Sequence, residues 1–297
     1  MDPAAYIDDA AMANVGNSCF AAAAVRMALS SDFVRALLRH RARDPARSEA
    51  DEGPRLASAL LGSEADGAAF RAVVDFARRA EGGRGTAQDA HEFLLRALDA
   101  VTAGTAWADE AAYRVRYRNK LECERCGAAR RWKDRASCVS VPHAPPHLSE
   151  LIDLPAADAA PTESVEAACE RCQHGRARLR AALLQPDAPL LFLKPAVPPR
   201  SALARLRLPG APLEQWRDGG CYALRSALLY ERGHYTCAVL EDGNENRGTS
   251  RWTLFNDAQR TEMLVRVEYD EAAGGREARC RLPGGVQALL YERVAAA

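Results

Sequence analysis

A thiol, an imidazole and a side-chain amide, far apart in the chain, are the groups best suited to joint chemistry. Cys19 comes five residues after Asn14, His234 lies in a Gly-His-Tyr segment, and Asn256 and Asp257 end a Trp-Thr-Leu-Phe-Asn-Asp segment. A nucleophilic thiol, an imidazole base and a third group that orients the base are the parts of a cysteine-protease triad. These residues therefore predict thiol-dependent hydrolysis, provided that the fold brings them together.

The sequence around Cys19 is typical of a reactive thiol. Most free cysteines are core residues, so a cysteine alone indicates nothing about catalysis. Here, however, an alanine-rich run of high helix propensity begins at Cys19 and continues to Leu29. Unpaired N–H groups and the macrodipole at the start of a helix stabilise a thiolate. We therefore predict that Cys19 is a nucleophile rather than a packing residue.

Two C-x-x-C pairs predict a metal site. Cys123 and Cys126 form the first pair, and Cys169 and Cys172 form the second. Four thiolates complete the tetrahedral shell of a structural Zn²⁺ ion, and the two-residue spacing lets one turn present both sulfurs. His174 is interpreted as a surface residue, because the four thiolates already fill the shell. We expect structural zinc and no organic cofactor.

Composition narrows the class of protein. The 297 residues contain 40 basic and 40 acidic side chains, and this neutrality argues against a bulk electrostatic grip on nucleic acid or on a membrane. A short basic segment, residues 129–135, is accordingly interpreted as a solvated face. The start lacks a signal-peptide pattern and no apolar run reaches membrane-spanning length. Together with C-x-x-C pairs in place of a disulfide framework, this predicts an intracellular protein of the cytoplasm, the nucleus or both.

Periodicity divides the chain into a helical part and a strand-rich part. Helical spacing of apolar residues occurs at residues 32–38, 68–77 and 90–98. From about Tyr113 the pattern alternates like a strand, and prolines between residues 142 and 161 exclude long helices. Strand patterns follow at residues 190–193, 222–230, 235–240, 252–255, 264–269 and 286–291. We therefore predict an α+β fold with a mostly antiparallel sheet.

The order of these motifs resembles the ubiquitin-specific protease family of deubiquitinating enzymes. The matching segments are the cysteine box at 14–20, a second box at 88–95, the paired knuckles, and the histidine box at 233–257, with residues 288–293 similar to the last strand of the family. The resemblance implies one catalytic domain over residues 1–297 with the hand-like fold of a papain-like cysteine protease. Its parts would be a helical thumb at 1–110, zinc-ribbon fingers at 111–188 and an antiparallel-sheet palm at 189–297.

The resemblance also implies residue roles. Cys19 would attack the carbonyl of the terminal glycine of ubiquitin, and His234 would activate the thiol and protonate the leaving lysine amine. Asn256 would orient the imidazole, with Asp257 as the alternate for that role, and Asn14 would donate to the oxyanion. The implied partners are ubiquitin and ubiquitinated proteins, and the implied reaction is hydrolysis of the isopeptide bond.

Three further residues are candidate contacts for the substrate tail. The tail of ubiquitin carries arginines before its two glycines, and Asp89 and Glu92, three apart on a predicted helix, would share a face that can pair with a guanidinium. A solvated acidic helix face is the alternative interpretation. Tyr235 would cover the channel for the two glycines, or else pack in the core. His91 is interpreted as structural.

Several residues depart from the family pattern. Ala21 to Ala24 and Arg26 replace polar residues on the helix after Cys19, Lys194 is followed by proline and alanine, and only Glu231 and Arg232 separate Tyr230 from Gly233, which shortens a loop that covers the tail. Two other functions therefore stay open. One is the same chemistry on a SUMO-like modifier, and the other is a ubiquitin-binding scaffold without catalysis.

Overall fold

Helices come before almost all of the strands in this chain. The computed structural model describes residues 7–8, 12, 18–44, 51–80, 89–105, 115–141, 162–184, 188–195, 201–203, 205–207, 221–242, 249–257, 259–270, 277–282 and 284–294. The helices in these ranges are α1 (Cys19–Leu29), α2 (Asp32–Arg43), α3 (Gly53–Gly62), α4 (Gly67–Ala80) and α5 (Ala90–Thr102). No helix among these residues is long and apolar enough to cross a membrane.

Helix α1 is the central helix. All eleven of its residues are buried, and its four consecutive alanines present so little side-chain volume that neighbouring elements approach closely on every side. The surrounding helices are amphipathic and bury one face each. Helix α2, for example, begins after Ser31, whose hydroxyl accepts from the backbone N–H of Val34 at 3.2 Å, as an N-cap residue does.

The larger sheet joins most of the strands. Its central order is β4-β7-β15-β10-β11-β12-β13-β14-β8, with β1 beside β13 and β9 beside β10. Among the described residues only the β4–β7 pair is parallel. The strands are β1 (Ile7–Asp8), β4 (Val139–Val141), β7 (Leu190–Pro195), β8 (Ser201–Leu203), β9 (Arg205–Arg207), β10 (Cys221–Glu231), β11 (His234–Asp242), β12 (Thr249–Asn256), β13 (Gln259–Asp270), β14 (Glu277–Arg281) and β15 (Gly285–Val294).

Both faces of the central strands are apolar. Ala288 and Leu290 of β15 belong to the core shared with the helices, whereas Leu289 and Tyr291 belong to a second core on the opposite face. Successive side chains of a strand point to opposite faces, so a continuous apolar strand fills both cores. Strand β11 likewise contributes Cys237 to the first core and Ala238 to the second, so the middle of the strand that begins at His234 is packed on both faces.

A separate four-stranded sheet carries the cysteine pairs. Its strands are β2 (Val115–Cys123), β3 (Ala129–Ala136), β5 (Thr162–Glu166) and β6 (Arg176–Leu184), in the antiparallel order β3-β2-β6-β5. The turn between β2 and β3 contains Cys126, and the turn between β5 and β6 contains Cys169 and Cys172.

The prediction of a fold of helices and antiparallel sheet is confirmed. The three periodic helices and the six strand segments after Pro189 all form, each slightly longer than its pattern. Helix α3 and strands β1, β3, β4, β5, β6, β8, β9 and β14 were not predicted. Strands β3, β5 and β6 are rich in charged or small residues, because one face of their sheet is solvent-exposed and the other is only partly covered. The prolines between 142 and 161 lie outside the described residues.

Candidate active site and metal centre

Cys19 is the first residue of α1, as its sequence predicts. It is 9% exposed, and Ser18 before it makes no side-chain hydrogen bond that caps the helix. The first turn also contains no acidic residue. A negative charge on the sulfur would therefore meet the positive end of the helix dipole without a competing carboxylate in that turn. Asn14, the predicted oxyanion donor, lies outside the described residues.

His234 and Asn256 meet across two neighbouring strands. His234 begins β11, Asn256 ends β12, and Nε2 of His234 lies 2.6 Å from Oδ1 of Asn256. Because the amide oxygen only accepts, Nε2 carries the proton in this pair and Nδ1 is left as the basic nitrogen. Strand β11 packs directly against α1, the helix that begins at Cys19.

Asp257 is a more distant neighbour of the imidazole. Its Oδ2 lies 3.8 Å from Nε2 of His234, beyond hydrogen-bond distance. Asp257 follows the end of β12 in a left-handed conformation with φ of 52°, which an aspartate tolerates. The geometry therefore favours Asn256 over Asp257 as the partner of the imidazole.

The turn before His234 is a two-residue hairpin. Glu231 pairs with His234, and the two residues between them have positive φ, 53° for Arg232 and 84° for Gly233, which is typical of a type I′ turn. This short turn fixes the start of β11 and confines His234 beside a surface pocket of about 340 Å³ that Arg232 and Leu254 also line.

Tyr235 connects this hairpin to the start of α5. Burial, reinforced by the charge of Asp89 and by Tyr230, raises the pKa of Tyr235 to about 12, and Cys19 lies near enough to add to the shift. A backbone hydrogen bond with Ala90 acts in the opposite direction. The beginnings of α1, α5 and β11 thus converge around the phenol of Tyr235. The sequence-based interpretation had left open whether this tyrosine covers the channel for the two glycines or packs in the core.

Asp89 caps α5 rather than lying within it. Its Oδ1 accepts from the backbone N–H groups of His91 and Glu92 at 2.9 and 3.2 Å, and its Oδ2 accepts from Nζ of Lys194 at 2.9 Å. Burial opposes ionisation, but these donors prevail and the pKa of Asp89 is lowered. Glu92, in the first turn, is 59% exposed and lies 3.9 Å from Arg96. Of the two carboxylates, Glu92 is the more exposed and has the longer ion-pair contact, so it is the more accessible to a cationic ligand.

Two cations near the site were not predicted to have a role. Lys194 pairs with Asp89, 105 residues away in sequence. Arg26 of α1 is 5% exposed, forms an ion pair with Glu64 at 2.6 Å, and places its guanidinium 4.3 Å from the ring centroid of Phe255. Because Phe255 precedes Asn256, Arg26 connects the helix of the thiol to the strand of the asparagine. The sequence departs from the family pattern at Arg26 and directly after Lys194. These two departures were the signal from which a role for the cations could have been predicted.

The four predicted metal ligands form one cluster. The sulfurs of Cys123, Cys126, Cys169 and Cys172 all lie within 4.8 Å of one another, with Cys123–Cys172 at 3.6 Å and Cys126–Cys169 at 3.7 Å. Tetrahedral zinc with Zn–S bonds of about 2.3 Å requires sulfurs about 3.8 Å apart. The cluster therefore fits zinc.

Both cysteine turns have the same backbone. In each turn the residue after the second cysteine donates its backbone N–H to the carbonyl of the first cysteine, Gly127 to Cys123 at 3.1 Å and Gln173 to Cys169 at 2.8 Å. Both donors are left-handed, with φ of 69° at Gly127 and 57° at Gln173. Backbone N–H groups of Cys126 and Arg125 donate to the sulfur of Cys123, which lowers its pKa to about 6 despite burial. Donors directed at sulfur are what a bound thiolate needs.

Comparison with known proteins identifies the fold. No family model and no curated protein matches the sequence. Solved structures do match: a SAGA DUB module of Ubp8, Sgf11, Sus1 and Sgf73 bound to monoubiquitin, with a TM-score of 0.63 and 13% identity over 96% of this chain and 69% of that chain. The same module bound to ubiquitin aldehyde matches with a TM-score of 0.63, 13% identity, and 96% and 70% coverage. A yeast SAGA DUB module with an Sgf73 variant matches with a TM-score of 0.60 and 13% identity over 96% of this chain and 68% of that chain. The chain therefore has a fold like that of the ubiquitin-specific proteases.

Proposed function

We propose that this chain is a thiol-dependent deubiquitinase that hydrolyses the isopeptide bond after the C-terminal glycine of ubiquitin. The observation that carries the proposal is the 2.6 Å contact between His234 and Asn256, on strands that pack against the helix that begins at Cys19. The fold likeness to DUB modules bound to ubiquitin supports the choice of substrate.

In the first half of the reaction the thiol replaces the lysine amine. Nδ1 of His234 takes the proton of Cys19 while the sulfur forms a bond to the glycine carbonyl carbon. The oxyanion that develops would be stabilised by the side-chain amide of Asn14. As the C–N bond breaks, His234 returns the proton to the leaving amine, and a thioester remains on Cys19.

In the second half water replaces the sulfur. His234 accepts a proton from water as the oxygen attacks the thioester, and the C–S bond breaks to release the ubiquitin carboxylate and regenerate Cys19. Throughout, Asn256 accepts the hydrogen bond of the Nε2–H group, which keeps Nδ1 directed away from the asparagine and available for proton transfer.

The proposed contacts between this chain and the ubiquitin tail are few. Glu92 is open to an arginine of the tail, whereas Asp89 would have to exchange its contact with Lys194 for one with the substrate. The start of α5 would then bind the tail mainly through Glu92, in competition with Arg96, and Tyr235 would lie beside the two glycines. A cationic tail must compete with an existing ion pair, so we expect a modest affinity for ubiquitin.

Release of a fluorophore from the C-terminus of ubiquitin tests the proposal. We expect turnover by the zinc-loaded chain under reducing conditions, its loss in Cys19→Ala, and its retention in Cys138→Ala, a matched control at a half-buried cysteine outside the triad. Asn256→Ala should lower kcat more than Asp257→Asn does, because, of these two residues, Asn256 alone lies within hydrogen-bond distance of the imidazole.

Two outcomes would redirect the proposal. Turnover of a SUMO substrate in place of ubiquitin would indicate the same chemistry on another modifier. Binding of ubiquitin by the folded, zinc-loaded chain without any turnover would indicate a scaffold and contradict a catalytic role for Cys19.

A further inference from the structure

One face of the four-stranded sheet is strongly basic. Its strands β2, β3, β5 and β6 contain ten Arg and Lys residues against four Asp and Glu residues, although the whole chain is neutral. Strand pairing determines which of these residues lie side by side. Lys120 of β2 is the register partner of Arg131 of β3, and alternation places Lys133 and Arg135 on the same face.

The basic face extends onto a third strand. Arg178 of β6 is the partner of Glu122, which places Arg178 and Arg176 on the side of the sheet that carries Lys120. The basic face is thus defined by Lys120, Arg131, Lys133, Arg135, Arg176 and Arg178, of which all but Lys120 are exposed. Neighbouring strands lie about 4.8 Å apart and alternate residues about 6.8 Å apart, so the cations form a two-dimensional array.

This positive charge is largely uncompensated. Within the described part of the chain, Arg131, Lys133, Arg176 and Arg178 have no carboxylate at ion-pair distance, and Glu122 pairs with Lys120 at 2.5 Å. Two further carboxylates lie at this face: Glu166 does not pair with its register partner Arg176, and Glu124 accepts a hydrogen bond at 2.8 Å from Ser164, the register partner of Arg178. Like charges directly opposite each other, as at Lys120 and Arg131, destabilise a sheet. An anionic ligand on this face would offset the repulsion between the unpaired cations.

We propose that the basic face binds the phosphate backbone of duplex nucleic acid without sequence preference. Five of the six cations on the face, counting Arg135, are long exposed side chains, and four of the six are arginines, whose guanidinium forms bidentate contacts to phosphate. The short basic segment at 129–135, interpreted from the sequence as a solvated face, becomes part of an array only through the register of β3 with β2 and of β2 with β6.

The composition of the basic face distinguishes duplex from single strand. No aromatic residue occupies its positions, because Trp132 alternates to the opposite side of the sheet, where its register partner is Asn119. Proteins that bind single strands stack bases on aromatic side chains, whereas contacts to duplex backbone need only cations. The face therefore suits a duplex, independently of any deubiquitinase activity.

Fluorescence anisotropy of a labelled 30-base-pair DNA duplex with the full zinc-loaded chain tests this proposal. We expect binding at low salt that weakens as salt rises, with a log–log slope of about −0.9 for each phosphate contacted. The double variant Arg131→Glu plus Lys133→Glu should lose at least about tenfold in affinity. Its log–log salt slope should also become less steep by the amount expected for about two phosphate contacts. The matched control is Arg55→Glu plus Arg71→Glu, at exposed positions of α3 and α4 with the same change in net charge.

Each outcome supports or overturns the proposal. Loss of affinity in the first variant alone, with circular dichroism and zinc content unchanged, supports it. Equal losses in both variants, or no binding at low salt, overturn it. Tighter binding to a single strand of the same length overturns the assignment to duplex, and equal competition by polyglutamate at matched charge would assign the face to an acidic protein instead.

Discussion

Acidification should destabilise this protein through one buried histidine. The ring of His91 on α5 is 2% exposed, its centroid lies 6.2 Å from that of Phe192, and neither ring nitrogen has a hydrogen-bond partner within the described residues. Burial, reinforced by the charge of Lys194 and opposed by Asp89, lowers the pKa of His91 from 6.5 to about 4. The folded protein thus keeps this imidazole neutral.

The sign of the effect follows from proton binding. Between pH 6.5 and about 4, the unfolded chain binds a proton at His91 and the folded protein does not, so the free energy of unfolding rises with pH in this window. The contribution is fully present above pH 6.5 and is lost as pH falls. Between pH 7.5 and 5.5 the loss amounts to about 1.4 kcal/mol for one group shifted this far.

Urea unfolding of the wild type and of His91→Leu at pH 7.5 and 5.5 measures this loss. The wild type should lose about 1.4 kcal/mol more than the variant, since leucine removes only this titration and other groups cancel in the difference. His40→Leu, at an exposed position of α2, is the control and should behave as the wild type. An equal loss of stability in the wild type and in His91→Leu would refute the reasoning.

Three further predictions concern the metal, the buried arginine and the hairpin. Removing zinc with a chelator, or replacing Cys123 and Cys169 by serine, should lower the melting temperature by on the order of 10 °C, because metal binding contributes folding free energy; an unchanged melting temperature contradicts a structural metal. In a double-mutant cycle, Arg26→Met and Phe255→Leu should show a coupling of about 1–2 kcal/mol, since the guanidinium lies 4.3 Å from the ring centroid in a buried site; a coupling near zero would mean that the contact contributes nothing. Arg232→Asn should raise the free energy of unfolding by about 0.5–1 kcal/mol in a urea titration, because asparagine tolerates the positive φ of a type I′ turn better than arginine; a destabilised variant would argue against this turn.

Local sequence was sufficient wherever one segment determines its own structure. The alanine-rich run predicts a helix that begins at Cys19, and α1 begins there. The C-x-x-C spacing predicts turns that present two sulfurs each, and the strand patterns at 235–240 and 252–255 predict the strands that extend by one residue to His234 and to Asn256. Propensity, turn chemistry and periodicity act over a few residues, so these features can be read without knowledge of the fold.

Pairing between distant segments could not be obtained in this way. Asp89 was expected within a helix, but it caps α5 and binds Lys194 of β7, because the two segments meet only after the sheet has formed. Likewise, the choice of Asn256 over Asp257 as the partner of His234 depends on where β12 ends relative to β11.

The sequence by itself determined which chemical groups are present and which local element carries each of them. The tertiary structure alone decided which groups touch. It placed Arg26 between Glu64 and Phe255, and it aligned Lys120 with Arg131 to form a basic face on a neutral protein. The physical reason is that register and packing depend on the burial of many residues at once, and a shift of one residue along a strand would move every side chain to the other face.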